Sequence, residues 1–287
     1  MPTPHEVAIE QALNLNATLK RLVDRLGTTD HPRGDVLTAY RNAHRALAGK
    51  MDRPAEVREV LAGLKVAVRE ASQDALRLAH NAGVSAATVN LEVYDLPTPE
   101  AYDPVLRAEA LNAVMAALDA QVVAVASAVV AGIAEEGLIL GGEERAGVLA
   151  PAPVLREEAR WLALVAAGAF FFAVNGALRQ SGQKRRYLKQ ALAGVDERTT
   201  DCCLRVSGQA QPVDKPFKLT GTPRYADELI GPPFHGYCRT AVALIAVEDQ
   251  DDDLSQEVRD AAAAELKARE DGSRKVIHPA SAISRRG

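Results

Sequence analysis

The chain has 287 residues, 47% of them apolar, 25% charged and only 4% aromatic. That is ordinary for a soluble globular protein of one or two domains, and with abundant alanine it favours packed helices over a β-rich core. A net charge of −4 and a pI near 5.9 exclude a global attraction to nucleic acid, so any such contact needs a local patch. Three cysteines, two of them adjacent, exclude a disulfide framework and point to a reducing compartment.

The N-terminal stretch Met1–Glu6 lacks the basic and apolar regions of a signal peptide. Residues 6–26 place Ile9, Leu13, Leu19, Leu22 and Leu26 near helical period, with Gly27 as a stop and a loop over 30–34. Asp35 can cap a second helix running to about Lys50. Pro54 suits the first turn of a third, whose stripe of Val57, Leu61, Leu64 and Val68 continues to about His80 and ends at Asn81-Ala82-Gly83. Residues 84–104 show weak alternation broken by Pro97, Pro99 and Pro104, and read as a connector. A fourth helix over 104–136 is apolar on nearly every face between Val122 and Ile133, which predicts enclosure by other helices. Residues 137–153 read as a glycine- and proline-containing loop, and Val154 to Gln180 as a fifth helix. The longest apolar run, Trp161–Val174, has 14 residues; it reads as buried helix, and no membrane contact is expected.

Beyond Gly182 the periodicity changes. Strands are predicted at Tyr187–Leu192, Val213–Leu219 and Thr240–Val247, with turns at Gly221-Thr222-Pro223 and Gly231-Pro232-Pro233. The acidic run 248–253 marks a boundary before a short helix over 254–269 and a basic tail with Arg274, Lys275, Arg285 and Arg286. The fold class is therefore mainly α: an N-terminal helical bundle (1–150), a small loop-rich α+β module (151–249), then a short helix and flexible tail (250–287). There is no Walker loop, GxGxxG, HExxH or GxSxG motif.

All three cysteines lie within Asp196–Thr240. Cys202 and Cys203 on one knuckle, and His235 and Cys238 on another, supply the thiolate and imidazole donors that zinc prefers. The His-x-x-Cys knuckle has good ligand spacing, whereas adjacent cysteines are an unusual first knuckle. The competing reading makes the cysteines small buried apolar groups, so the cofactor is either absent or a structural zinc. Cys203 and His235 also suffice for a nucleophile and base, with Asp196 or Asp201 orienting the imidazole. A second feature is basic: Arg179, Lys184, Arg185, Arg186 and Lys189 lie between residues 176 and 190 with no acid among them, a pattern able to contact phosphates without reading sequence.

Asp196-x-Arg198-Thr199 followed by Cys203 and Gly208, with Pro232-Pro233-x-His235-x-x-Cys238-Arg239 downstream, resembles the phage head morphogenesis family of minor head proteins. The resemblance covers about residues 155–245. The family pattern has further cysteines where this chain has Thr200 and Thr240, so only Cys203, His235 and Cys238 stand at ligand-type positions, and Cys202 or an aspartate would complete a four-ligand site. Asp196, Arg198, Thr199 and Arg239 form a candidate substitute network. The resemblance implies a minor capsid protein of a tailed phage or prophage, inside the head or at the portal vertex and in the host cytoplasm during assembly. Its partners would be the portal or major capsid protein and packaged DNA, in an oligomeric setting. The alternatives are a toxin-like or hydrolytic enzyme using Cys203 and His235, and a non-specific DNA-binding protein.

Overall fold

The computed structural model describes residues 2–25, 36–48, 50, 53–98, 105–130, 149–221 and 225–273. Helix α1 (Pro4–Arg25) turns Ala8, Ala12, Leu15 and Leu19 inward at helical spacing. Helices α2 (Val36–Leu47), α3 (Pro54–Val93), α4 (Val105–Val130) and α5 (Pro151–Ser181) follow. Strand β1 (Tyr187–Leu192), the short helix α6 (Asp201–Val206), strands β2 (Ala210–Pro212), β3 (Phe217–Lys218), β4 (Glu228–Leu229) and β5 (Ala241–Ala246), and helix α7 (Asp253–Glu270) complete the described residues. The mainly α architecture with a small α+β part is as the sequence predicts.

Helix α5 is the centre. It packs on α1, α2, α3, α4 and β5, and Val154, Leu155, Leu162, Val165, Ala166 and Leu178 are sealed. Its 31 residues, and the stretch Arg107–Ser127 of α4, are long and apolar enough by length and composition to cross a membrane. The 14-residue apolar run is only the middle of this longer helix.

The sheet has the order β2–β1–β5, antiparallel throughout, with Leu188 opposite both Pro212 and Ile245. All six residues of β1 and of β5 are buried, because α1 lies over β5 and the β3–β4 hairpin region covers β1. One apolar core therefore runs from Ala8 through α3 and α5 to Ala246, without a break at residue 150.

Several sequence expectations are corrected. Helix α3 does not stop at Asn81-Ala82-Gly83; it continues to Val93 and absorbs the first ten residues of the predicted connector. Gly83 is a packing residue, since a Cβ there would lie 2.2 Å from the Ala166 carbonyl oxygen of α5. The weak alternation of Val89, Leu91 and Val93 is helical, and the turn comes later, where Leu96 N–H donates to the Leu91 carbonyl at 2.9 Å. Helix α4 is not enclosed over its described part: Val125 and Val129 are buried, but Val123 is 64% exposed. The predicted strand 213–219 is split, because Lys215 N–H closes a turn onto the Pro212 carbonyl and only Phe217 and Lys218 pair, with β4. Gly27, the loop at 30–34, Asp35, residues 131–148 and the basic tail from Arg274 lie outside the described residues.

Asn90 links the two halves of the core. Its Nδ2 donates to the Ala86 carbonyl at 2.8 Å and its Oδ1 accepts the Leu244 N–H of β5 at 2.9 Å, all fully buried. Removing the acceptor strands a backbone donor away from water. Asn90→Ala is expected to lower unfolding free energy by about 2 kcal/mol in chemical denaturation.

Candidate functional site: a buried cysteine–histidine knot

The first motif half is built by the loop after β1. Asp196 turns back on that loop, its Oδ1 accepting the Arg198 N–H at 3.0 Å. The Thr199 hydroxyl donates to the Gly194 carbonyl and lies 3.1 Å from Asp196 Oδ1. Helix α6 then begins at Asp201, which places Cys202 and Cys203 in its first turn, both buried. Adjacent cysteines on a helix point about 100° apart, and that rotation lets two consecutive residues serve one cluster without a Cys-x-x-Cys knuckle. Sequence reasoning missed this six-residue helix because it is too short for a periodic signal. Gly208 leaves it at φ 79°, its N–H bonded to the Ala191 carbonyl at 2.7 Å. A Cβ there would lie 2.4 Å from Arg259 Cγ, so both the backbone and the space demand glycine.

The second half precedes β5. Pro232 and Pro233, joined by a cis peptide bond, are buried and lead into Phe234, His235 and Cys238. The Cys203 Sγ stands 3.0 Å from His235 Nε2 and 3.8 Å from Cys238 Sγ. The Cys202 Sγ is 3.2 Å from the Thr200 hydroxyl, and donor atoms of Cys202, Cys203 and His235 lie within 4.8 Å of one another. The His235 Nδ1 is bonded to the Gly236 carbonyl.

Arg239 binds the halves together. Its Nη1 and Nη2 donate to the two Asp196 oxygens at 2.9 and 2.7 Å, and Nη2 also reaches Thr199 Oγ1 at 3.2 Å. Arg239 therefore places its guanidinium on Asp196, and Arg198 contributes its backbone N–H. Four residues outside the motif reinforce the fork. Lys20 Nζ of α1 lies 3.0 Å from Asp196 Oδ2. Asn16 of α1 donates to the Arg239 carbonyl at 2.6 Å. Arg269 of α7 donates to the Thr199 and Asp196 carbonyls at 2.6 and 2.8 Å while paired with buried Glu265 at 3.0 Å. Asn16, polar on the inward face of α1, and the i,i+4 pair Glu265–Arg269 were the available sequence signals for these contacts.

The electrostatics favour thiolate character. Cys238 is held well below the ordinary thiol range: burial opposes its charge, but the Cys203 hydrogen bond and the His235 charge outweigh burial. Burial, reinforced by the neighbouring thiols, drives Cys203 well up. The hydrogen bond with Cys203 pulls Cys202 down to about 7 against the effect of burial. Burial lowers His235, yet the charge of Cys238 raises it overall. The donor atoms of Cys202, Cys203 and His235 are grouped closely enough for a metal, and Cys238 adjoins them through Cys203. Two thiolates about 2.3 Å from one tetrahedral zinc stand about 3.8 Å apart, which is the Cys203–Cys238 separation. The Cys203–His235 pair would have to widen to about 3.6 Å, a side-chain adjustment. Cys202, Cys203, Cys238 and His235 are the residues able to hold such an ion.

A nucleophile–base reading needs a carboxylate to orient the imidazole at Nδ1. His235 Nδ1 goes to a backbone carbonyl and Asp196 to Arg239. Cys203 is 2% and His235 3% exposed, and the adjoining cavity of about 10 Å³ has room for no more than one water.

The basic cluster divides. Arg179, Lys184, Arg185 and Arg186 are exposed, with Lys184 paired to Asp214 at 2.9 Å. Lys189 does not belong to this face. On β1, covered on both sides, it is 1% exposed, donates to the Ile230 carbonyl at 2.5 Å and sits 4.8 and 5.3 Å from the Phe217 and Phe171 ring centres. Burial pulls its pKa down to about 8. It anchors the loop before Pro232 and is removed from the candidate phosphate contacts.

Comparison with protein-family models, with curated proteins and with solved structures finds no match to this chain.

Asp196 supplies a pH test. Burial pushes its carboxyl up, but the Arg239 hydrogen bonds and charge outweigh that and hold it far below the usual carboxylate range. A depressed folded-state pKa gives stability that is complete above the unfolded value, about 4, and is lost as pH falls below it. Urea denaturation from pH 6 to pH 3 should show this loss, and Asp196→Asn should flatten it while lowering stability at pH 6.

Proposed function

We propose that the chain is a minor head protein of a tailed phage or prophage, acting by contact with the portal or major capsid protein and with packaged DNA during head assembly and genome packaging or ejection. The supporting observation is the knot itself. The two motif halves that carry the family resemblance meet in one buried cluster, joined by the Asp196–Arg239 fork and by Cys203, His235 and Cys238. A buried cluster beside a water-sized cavity suits a staple that shapes a loop-rich module, and it gives a substrate no approach. Turnover is not part of this reading.

Cys202, Cys203, Cys238 and His235 are the residues that would hold a structural zinc completing the staple. Bound there, zinc would hold the thiolates together and fix α6 against the start of β5. The contact surfaces lie elsewhere. Arg179, Arg185 and Arg186 form the exposed basic face, with Lys184 partly neutralised by Asp214. The molecule would work inside the head or at the portal vertex, after assembly in the host cytoplasm.

Co-expression with the portal and major capsid proteins encoded beside it tests the reading. Stable co-purification with one of them is expected; a folded chain that captures neither contradicts it. Elemental analysis of the chain purified without chelator should give about one zinc per chain, falling several-fold in Cys238→Ser. Arg179→Ala, Arg185→Ala and Arg186→Ala together should weaken binding to duplex DNA uniformly across sequences and reduce the salt slope by about 2–3.

A further inference from the structure

A second group of ligand-type side chains lies well away from the knot in sequence. His5, in the first turn of α1, meets Asp249 and Asp252 in the acidic turn between β5 and α7, with donor atoms of the three within 4.8 Å of one another. His5 is 2% exposed although it is the fifth residue of the chain. Its Nδ1 is 2.6 Å from Asp252 Oδ2. An aspartate is ionised at neutral pH and then only accepts, so Nδ1 is the donor. The other ring nitrogen, Nε2, is buried and has no hydrogen-bond partner among the described residues.

Asp252 is fully used. Its Oδ2 takes His5 and its Oδ1 caps α7 by accepting the Ser255 N–H at 2.8 Å. Among the described residues Asp249 is less committed, its Oδ2 taking a long contact of 3.4 Å from the Tyr94 hydroxyl. His5, Asp249 and Glu248 line one cavity of about 350 Å³, which Arg186 also borders. An imidazole backed by one carboxylate, with its Nε2 unpartnered and a second carboxylate in the same cluster, is the arrangement that orients a metal-binding histidine.

We propose that His5 and Asp249 bind a divalent cation of the Mn²⁺ or Zn²⁺ type, with Asp252 orienting the imidazole and with Glu248 and water filling the positions that face the cavity. The ion gives the buried nitrogen its missing partner. It offsets the repulsion among Glu248, Asp249, Asp251, Asp252 and Asp253, which crowd one turn. It also clamps the start of α1 to the turn before α7, closing the chain between residues 5 and 249. The site is separate from the cysteine knot, and its existence does not depend on the head-protein reading.

Mn²⁺ is the suitable probe, because it favours carboxylate and imidazole over thiolate. Paramagnetic resonance titration of the full chain should show about one bound Mn²⁺ with roughly micromolar affinity, and Mn²⁺ should raise the melting temperature. Asp249→Asn should weaken binding more than tenfold. Asp252→Asn, which keeps the α7 cap, should weaken it about tenfold through the imidazole alone. Asp74→Asn, an exposed carboxylate on α3, should leave it unchanged. No binding at millimolar Mn²⁺, binding indifferent to both Asp249→Asn and Asp252→Asn, or binding weakened equally by Asp74→Asn would each overturn the proposal.

Discussion

The module depends on one buried fork. Arg239 is 7% exposed and has both η nitrogens on Asp196, across a sequence gap that contains α6, three short strands and the proline turn. A guanidinium removed from water is tolerable only with a carboxylate in bidentate register and its other donors and neighbours satisfied. The surrounding contacts meet that demand. Thr199 receives a further N–H, Asn16 binds the Arg239 carbonyl, and Arg269 covers the carbonyls of Asp196 and Thr199. Helices from both ends of the chain, α1 and α7, thus converge on a turn in its middle. The cysteine–histidine cluster sits directly beside this fork and inherits its position from it.

On the proposed reading the thiols are architecture, and their setting supports it. A nucleophilic cysteine needs a partly exposed setting and an imidazole that a third group orients. Here the imidazole lies between a thiol and a backbone carbonyl, under cover of the motif loops. Mutual hydrogen bonds and the His235 charge favour thiolate at Cys238, which is the form a metal takes up.

Much of this was legible in the sequence, and the failures have physical causes. Helices α1 and α2 follow from their apolar spacing, β1 from its weak alternation and β5 from its apolar and β-branched run. Gly83 misled because a glycine in a helix reads as a stop, whereas here it admits the backbone of α5. Asn90 gave no signal of its partner, since a polar residue in a helix shows nothing of a strand more than a hundred residues away. Lys189 looked like part of a basic patch because charge is read along the chain; its burial is set by aromatic rings from α5 and β3. The convergence of Cys202, Cys203, His235 and Cys238 was expected, but its mechanism, adjacent cysteines on one helical turn, appears only in three dimensions.

The central claim is that Asp196 and Arg239 fasten the two motif halves to each other. A double-mutant cycle with Asp196→Ala, Arg239→Met and the double variant, followed by urea denaturation at pH 7, measures that coupling directly. The account predicts a coupling energy of about 2 kcal/mol or more, with the double variant less destabilised than the sum of the singles. Additivity to within about 0.5 kcal/mol would mean that the fork does not hold the module together.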